Sequence, residues 1–365
     1  MIRVLQVLQG GDEFGGVETF VYQYYSHLDR TKTHFDFAFC YGDTMKDRWD
    51  DPVLKDSQHM VLNISGRNMF QLYRSLRACL RSGHYDCIHV NTGNLSIQVP
   101  AQIAAKREGV KIRIAHSHSI GSRNGRNPIR DCITKVLQHL IVDNATKLVA
   151  CSVEAGEHLY GADAAKNRTQ IIPNAIDIGE FAYDETLRQK KREELGLEGH
   201  KTYIQVGNLQ PVKNHEFTLE VFKSVMAREK DSILLLAGTG MLEASLKEMV
   251  MAGHMEANVR FLGYRTDVNE LLQTADIMLM PSKWEGFPIA VIEAQVSGTT
   301  VLCSDNIPRS VDVTGRCEFL PLEAKRWEEA CLAAVPRKED LSWKIRENGF
   351  DVDTATERFA ALYTG

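Results

Sequence analysis

A chain of 365 residues, 44% hydrophobic and 25% charged, is too long for one core and too apolar to be disordered, so two globular domains are expected. The net charge of −5 is uneven: residues 1–176 hold 21 Lys and Arg against 17 Asp and Glu, and residues 177–365 hold 22 against 31. The more basic first half suits an anionic acceptor or an anionic membrane surface, while a membrane span is excluded because no apolar run approaches the roughly 18 residues one needs.

Met1-Ile2-Arg3-Val4-Leu5-Gln6-Val7-Leu8 carries no basic leader or cleavage site and reads as a first strand, interrupted by Gln6, rather than a signal peptide. From there short β-branched runs alternate with amphipathic stretches, the pattern of a parallel α/β architecture. Strands are expected at 4–8, 35–39, 87–90, 112–115, 148–151 and 169–172, with helices at 17–28, 70–80, 97–107 and 129–143. Pro173-Asn174-Ala175-Ile176-Asp177 breaks regular structure and marks the crossing between halves. A charged helical stretch follows at 184–199, and the pattern restarts. Strands are expected at 203–206, 233–237, 259–262, 277–280, 300–303 and 318–320, with helices at 216–227, 242–251, 267–273 and 289–296. Two doubly wound domains facing a cleft are the expected architecture, since ligands of such sheets gather beyond the strand carboxyl ends. The eight cysteines are scattered with no C-x-x-C pair, which argues against zinc and against a disulfide framework, and fits a reducing cytoplasm.

The most informative run is Met280-Pro281-Ser282-Lys283-Trp284-Glu285-Gly286-Phe287-Pro288 leading into the helix that carries Glu293. Glu293 lies among Ile289, Val291, Ile292, Ala294 and Val296, where an unpaired carboxylate costs several kcal/mol, so it needs hydrogen-bond partners from the protein or from a ligand. Glu285 precedes the helix start, where Pro288 suits the first turn and free N–H groups face outward. Two such acids can hold two sets of hydroxyls on one ligand, as a sugar nucleotide requires; the other reading is a strand–turn–helix with one internally paired Glu. Gly238-Thr239-Gly240 lacks the third glycine of a dinucleotide fingerprint and is read as a close-approach turn, which argues against a dehydrogenase. Asp351-Val352-Asp353 is read as a cluster of acids at a helix start, not a metal site.

Five landmarks occur in order: Gly15-Gly16-Val17-Glu18; Ala115-His116-Ser117-His118; Pro173-Asn174-Ala175-Ile176-Asp177; Val206-Gly207-Asn208 through Lys213-Asn214-His215; and Glu285-Gly286-Phe287-Pro288 through Glu293. Together they resemble the retaining glycosyltransferases of the family-four (glycosyl transferases group 1) class with GT-B fold, especially bacterial capsular and exopolysaccharide enzymes, over nearly the whole chain. The resemblance implies an acceptor-side Rossmann-like domain at 1–176, a nucleotide-sugar domain at 177–345, and a C-terminal helix near 346–365 that crosses back to the first.

It implies transfer of a hexose from a nucleoside-diphosphate sugar, UDP by default, to a hydroxyl acceptor such as a lipid-linked saccharide, without a metal or other cofactor, in the cytoplasm or at the inner membrane face. Lys213 would face the leaving diphosphate, with Gly15, Gly16, Gly207 and Gly238 allowing close approach. Glu285 and the Gly286-Phe287-Pro288 backbone would hold sugar hydroxyls, Glu293 the ribose, and Arg265 the base. Many relatives add an Arg directly after Gly207; this chain has Asn208, which brings hydrogen bonds but no charge. His118 would line the transferred sugar and, as an ordinary imidazole, titrate near neutrality. His116, with Arg123 and Arg126 in the basic loop at 122–130, is an acceptor-side candidate, and His89 a weaker one of the same kind. Two rival functions stand beside this one: a sugar-nucleotide-binding subunit without turnover, and a GT-B enzyme of other chemistry such as an epimerase.

Overall fold

The computed structural model describes residues 1–10, 15–66, 68–119, 128–335 and 339–364. The chain forms two compact units, Met1–Ala175 with Val352–Gly365, and Ile176–Asp351. Each is a parallel sheet wound on both faces, so the α/β, twin Rossmann-like class read from the sequence is what the chain adopts.

In the first unit seven strands are β1 (Ile2–Leu8), β2 (Thr33–Phe39), β3 (His59–Val61), β4 (Cys87–Asn91), β5 (Ile112–Ser117), β6 (Lys147–Ala150) and β7 (Thr169–Ile171). They pair in the order β3-β2-β1-β4-β5-β6-β7, all parallel. The central β1 is buried on both faces: Val4 and Leu8 join one core cluster, Leu5 and Val7 the other. Helices Gly16–His27 and Val352–Ala360 cover the first face through Phe20, Tyr24 and Phe359. Helices Met69–Gly83 and Leu95–Arg107 cover the second through Leu72, Leu76, Ile97 and Ala101. Asn68 and Asn94 start the latter two helices by accepting from the backbone N–H groups of Gln71 and Ser96. Because the chain winds outward from β1 to β3 and then returns to β4, the switch point lies between β1 and β4.

The second unit repeats the plan with β8 (Thr202–Val206), β9 (Ile233–Ala237), β10 (Val259–Gly263), β11 (Ile277–Met280), β12 (Thr300–Ser304) and β13 (Cys317–Leu320). Their order is β10-β9-β8-β11-β12-β13, again parallel, which puts its switch point between β8 and β11. The charged stretch at 184–199 contracts to a helix at Glu185–Glu194, capped by the Asp184 carboxylate on two backbone N–H groups. Short elements escape the sequence pattern: β3 has three residues, and helices Val153–Tyr160, Ala162–Arg168, Ile178–Phe181 and Ser342–Glu347 are too short to show a period; helix Ala324–Ala333 is also absent from the expected set. The acids at 351–353 stand at a helix start, Asp351 on Arg346 and Asp353 facing His27.

A buried ion group ties helix Glu185–Glu194 to the sheet of the second unit. Arg188 Nη2 meets Asp276 Oδ1 at 2.6 Å, and Asp276 Oδ2 accepts from the Thr202 N–H at 2.8 Å. Arg188 also donates to the carbonyls of Gln273 and Thr274. With Asp276 only 6% exposed, Asp276→Ala strands Arg188 beside a lost backbone partner. It should therefore lower the unfolding free energy of this unit by about 3–5 kcal/mol, measured by urea titration; a change below about 1 kcal/mol would contradict the assignment.

Candidate active site

In the second unit the loops leaving β8 and β11 emerge side by side because those strands flank the switch point. The β8 loop is shaped by glycines. At Gly238 (φ +146°) a Cβ would stand 2.1 Å from the Gly207 carbonyl oxygen, and at Gly240 one would stand 2.7 Å from the Leu209 nitrogen. No side chain fits at either place, and Leu209 N–H closes the contact on the Thr239 carbonyl at 2.8 Å. The expected close-approach turn is therefore present, and what it approaches is the Gly207–Leu209 backbone. Gly207 (φ +142°) lies under Lys213, whose Cε would be 3.2 Å from a Cβ there.

Cross-links then bring the β8 loop against the β11 loop. Gln205 Nε2 donates to the Lys213 carbonyl, Asn214 Nδ2 to the Pro281 carbonyl, and Lys283 N–H to the Val212 carbonyl. The result is an ion pair between Lys213 Nζ and Glu285 Oε1 at 2.7 Å, both about one-fifth exposed. Asn208, beside them in the same loop, is partly exposed. His215, the first residue of the following helix, is fully buried with neither ring nitrogen partnered; burial pushes it down to about 4, and the Lys213 charge adds to this.

The helix Ile289–Val296 begins one residue after Pro288, which takes the cap position itself. Gly286, Phe287 and Pro288 are buried, and the Phe287 ring stacks on Phe350 at 5.4 Å, leaving backbone as what this segment can offer a ligand. Glu293 keeps part of its surface open, yet its carboxyl is enclosed enough that burial pushes it up to about 7, with Glu180 adding repulsion. No side-chain hydrogen bond or ion pair to Glu293 exists among the described residues, so its partners are not internal to the helix packing. Arg265 is differently engaged: its guanidinium lies on the Asp267 carboxylate, which also takes Lys191. A contact from Arg265 to a base would have to compete with that pair.

In the first unit the residues at the ends of β1, β4 and β5 form a buried polar group. His116 and His118 pack at a tilt of 30° with ring centroids 4.0 Å apart, and His89 Nε2 lies 3.0 Å from His116 Nδ1. His118 Nε2 contacts Asn91 Oδ1 at 3.2 Å, and the Phe20 ring packs on it edge-on at 4.7 Å. Burial pushes His118 down to about 3 and His89 and His116 well below the ordinary imidazole range. The expected titration of His118 near neutrality is thus corrected: enclosed by Phe20 and His116, it is a neutral hydrogen-bonding group at physiological pH.

Gly15 caps helix Gly16–His27, and the N–H groups expected to face a phosphate are approached by the helix's own Glu18. Glu18 is buried, accepts from Thr44 Oγ1 at 2.9 Å and from backbone at Gly15 and Glu18, and its carboxyl is raised by burial. Arg123 and Arg126 lie outside the described residues. Residues the sequence did not single out for the site are Asn91 and Tyr363, both buried in this polar group; Gln6 joins them, and its interruption of an apolar strand was the one available signal. Among the described residues, no three His, Cys, Asp or Glu side chains are grouped to hold a metal ion, and no helix is long and apolar enough to cross a membrane.

Two family models match the chain: "Glycosyltransferase Family 4" over residues 14–180 and "Glycosyl transferases group 1" over residues 188–346. The putative glycosyltransferase EpsF of Bacillus subtilis is 30% identical over 361 residues, covering 96% of this chain and 93% of its own. The UDP-Gal:alpha-D-GlcNAc-diphosphoundecaprenol alpha-1,3-galactosyltransferase of Escherichia coli is 28% identical over 305 residues, 79% of this chain and 78% of its own. Among solved structures, Anabaena HepE in complex with UDP and glucose superposes with a TM-score of 0.76 over 99% of both chains at 19% identity, a likeness of fold.

The raised carboxyl of Glu293 has a consequence for stability. Its folded value, about 7, lies above the ordinary 4.5, so the folded protein holds the proton more tightly than the unfolded chain. Stability is therefore lost as pH rises from about 4.5 to about 7, by an amount on the order of 1–3 kcal/mol, and the loss is constant above that. Glu293→Gln removes this dependence and should be more stable than the parent at pH 8 but not at pH 4.5. Parallel melting curves for the two proteins across that window would refute the assignment.

Proposed function

The chain belongs to the group 1 glycosyltransferases, and from that premise we propose that it moves a hexose from a UDP-sugar to a hydroxyl of a lipid-linked or growing saccharide, with retention at the anomeric carbon. That it is a glycosyltransferase of glycan synthesis follows from its family. The donor, the stereochemistry and the acceptor are the proposal. The observation that carries it is the Lys213–Glu285 pair at the switch point of the second sheet, a cation and a carboxylate 2.7 Å apart on loops shaped for close approach.

In this reading the ammonium of Lys213 neutralises the departing diphosphate. That is where negative charge grows, and a fixed cation in a partly buried loop costs little reorganisation there. Glu285, with the backbone of Gly286–Pro288, accepts from sugar hydroxyls and orients the anomeric carbon. The carboxylate of Glu293, which has no side-chain partner among the described residues, accepts from the ribose hydroxyls; two such donors would repay its burial. Asn208 adds neutral hydrogen bonds to the diphosphate, whereas the backbone at Gly15 is already taken by Glu18.

His118, neutral and held by Asn91, contacts the transferred sugar, and Arg123 and Arg126 are assigned to the acceptor; His116, expected on the acceptor side, is fully buried and backs the His118 ring instead. No carboxylate is assigned as a nucleophile: Glu285 is held by Lys213, and substitution proceeds on one face of the sugar through an oxocarbenium-like state. Neutralisation by Lys213 calls on no metal. The acceptor places the reaction in the cytoplasm at the inner membrane face, where the basic first half of the chain meets anionic lipid. The diphosphoundecaprenol-linked sugar on which the Escherichia coli relative acts, and the UDP and glucose held by HepE, support the choice of acceptor and donor class.

A thermal-shift screen of UDP-, GDP- and ADP-sugars should single out a UDP-sugar, and transfer should then require a lipid-linked acceptor. Turnover of donor without acceptor would favour an epimerase instead. Lys213→Ala should lower kcat by about 10²- to 10³-fold with donor affinity less affected, as for removal of one stabiliser of developing charge. Glu293→Ala should instead weaken donor binding about 10- to 100-fold. Full transfer by both variants would overturn the assignment.

A further inference from the structure

The buried polar group of the first unit has a direction, which its hydrogen bonds determine. Asn91 Nδ2 donates to Gln6 Oε1 at 2.8 Å and to the backbone carbonyl of His89 at 3.3 Å. Turning the Asn91 amide over would set its oxygen against that carbonyl, so the backbone fixes its orientation. Asn91 Oδ1 is then an acceptor, and His118 must carry its proton on Nε2 to meet it at 3.2 Å. Gln6 Oε1 being occupied as acceptor, Gln6 Nε2 donates to the Tyr363 oxygen at 3.2 Å. The Tyr363 hydroxyl is left to donate its proton to His89 Nδ1 at 2.8 Å. A neutral His89 then carries its proton on Nε2, donates to His116 Nδ1 at 3.0 Å, and forces the His116 proton onto Nε2. That last nitrogen is buried and has no partner among the described residues.

Tyr363 is held for this task. It is fully buried, Phe35 and Phe359 pack edge-on against its ring at 5.4 Å, and Lys147 Nζ donates to the carbonyls of Leu362 and Thr364 on either side at 2.9 and 2.8 Å. An apolar tail would pack as well with Phe at this position. The hydroxyl is present where only a proton donor completes the chain of bonds from β1 to β5.

We propose that Tyr363 is a positioning residue of the transferase: through His89 it sets the tautomer of His116, the buried imidazole packed at 4.0 Å on His118, and so holds the partly exposed His118 with its Nε2–H on Asn91 and its Nδ1 left to accept from a ligand hydroxyl. The ligand group His118 meets is a sugar or acceptor hydroxyl, a step that rests on the donor and acceptor reading above; the tautomer assignment itself does not.

The test is a long-range proton–nitrogen correlation spectrum of the full chain labelled with [15N]histidine, in parent and in Tyr363→Phe. The parent should show His89, His116 and His118 neutral with the proton on Nε2. In Tyr363→Phe, His89 and His116 should lose that single tautomer, while His118, fixed from Asn91, keeps it. With a sugar-nucleotide and acceptor that support transfer, kcat should fall about 10- to 100-fold with KM for the donor nearly unchanged, the signature of misplacement and not of lost binding. Unchanged His89 and His116 signals in Tyr363→Phe overturn the proposal, as does an unchanged kcat. Should that variant not fold, Gln6→Met frees the Tyr363 hydroxyl to turn and must blur the same two signals. Because the spectra need no substrate, a shifted tautomer in a protein that binds no UDP-sugar would refute the donor assignment and leave this one standing.

Discussion

A lysine and a glutamate 72 residues apart in sequence make one ion pair at 2.7 Å, and the second unit is organised around that meeting. Neither loop could bring it about alone. The parallel sheet winds outward from β8 to β10 and starts again at β11 on the other side, which leaves the carboxyl ends of β8 and β11 adjacent with no helix between them. Glycines at 207, 238 and 240 then let backbone lie against backbone, and Asn214, at φ +59°, turns the chain from Lys213 into its helix while its amide holds the Pro281 carbonyl. A side chain at Gly238 would collide with the Gly207 carbonyl and push the Lys213 loop away from Glu285. The position of one charge thus depends on a hydrogen atom standing where a methyl group would otherwise be.

The first unit has the same winding and a different solution at the same place. Gln6, His89, Asn91 and His116 point into strands that are otherwise apolar, and all four are buried. Polar groups there are tolerable only when their hydrogen bonds are made, since a network missing one partner costs more than an apolar core. All but one of the bonds in the chain from Asn91 to His116 are made, and one of its members, Tyr363, comes from the far end of the sequence. The C-terminal segment therefore does more than cover the face of the sheet with Phe359 and Leu362. It supplies the hydroxyl without which Gln6 and His89 would each lack a partner.

The strand and helix pattern was legible because both faces of each sheet are covered, so central strands read as short β-branched runs and helices as amphipathic stretches between them. Glu293 was legible for the converse reason, an acid in a run that permits none, although the run itself left open whether its partners come from the protein or from a ligand. Glu285 stood out from its own run, just ahead of a helix start, whereas Lys213 could be picked out only through the order of five landmarks, since a loop lysine by itself resembles any solvated one; their direct contact needed the strand order. Tyr363 was invisible, because nothing in the sequence near residue 363 shows that a residue at position 6 or 89 awaits it. His118 was located, and its environment was not: the Phe20 ring that keeps it neutral stands 98 positions away on another element, beyond the reach of local pattern.

The two switch points differ in electrostatics as plainly as they agree in topology. At the second, Lys213 and Glu285 keep about a fifth of their surface open, a setting in which a charged ligand can compete for either. At the first, three imidazoles are enclosed until none holds a proton beyond its neutral form, and Glu18 at the adjacent helix start is itself driven toward neutrality by burial. Charges suit a group on which charge grows during reaction, and neutral donors and acceptors suit hydroxyls that must be oriented without being ionised. A carboxylate at the start of helix Gly16–His27 also occupies the positive end that would otherwise draw an anion. In the reading proposed above, the charged groups that can meet a diphosphate therefore belong to the second unit, and what the first unit offers a ligand is neutral hydrogen bonding.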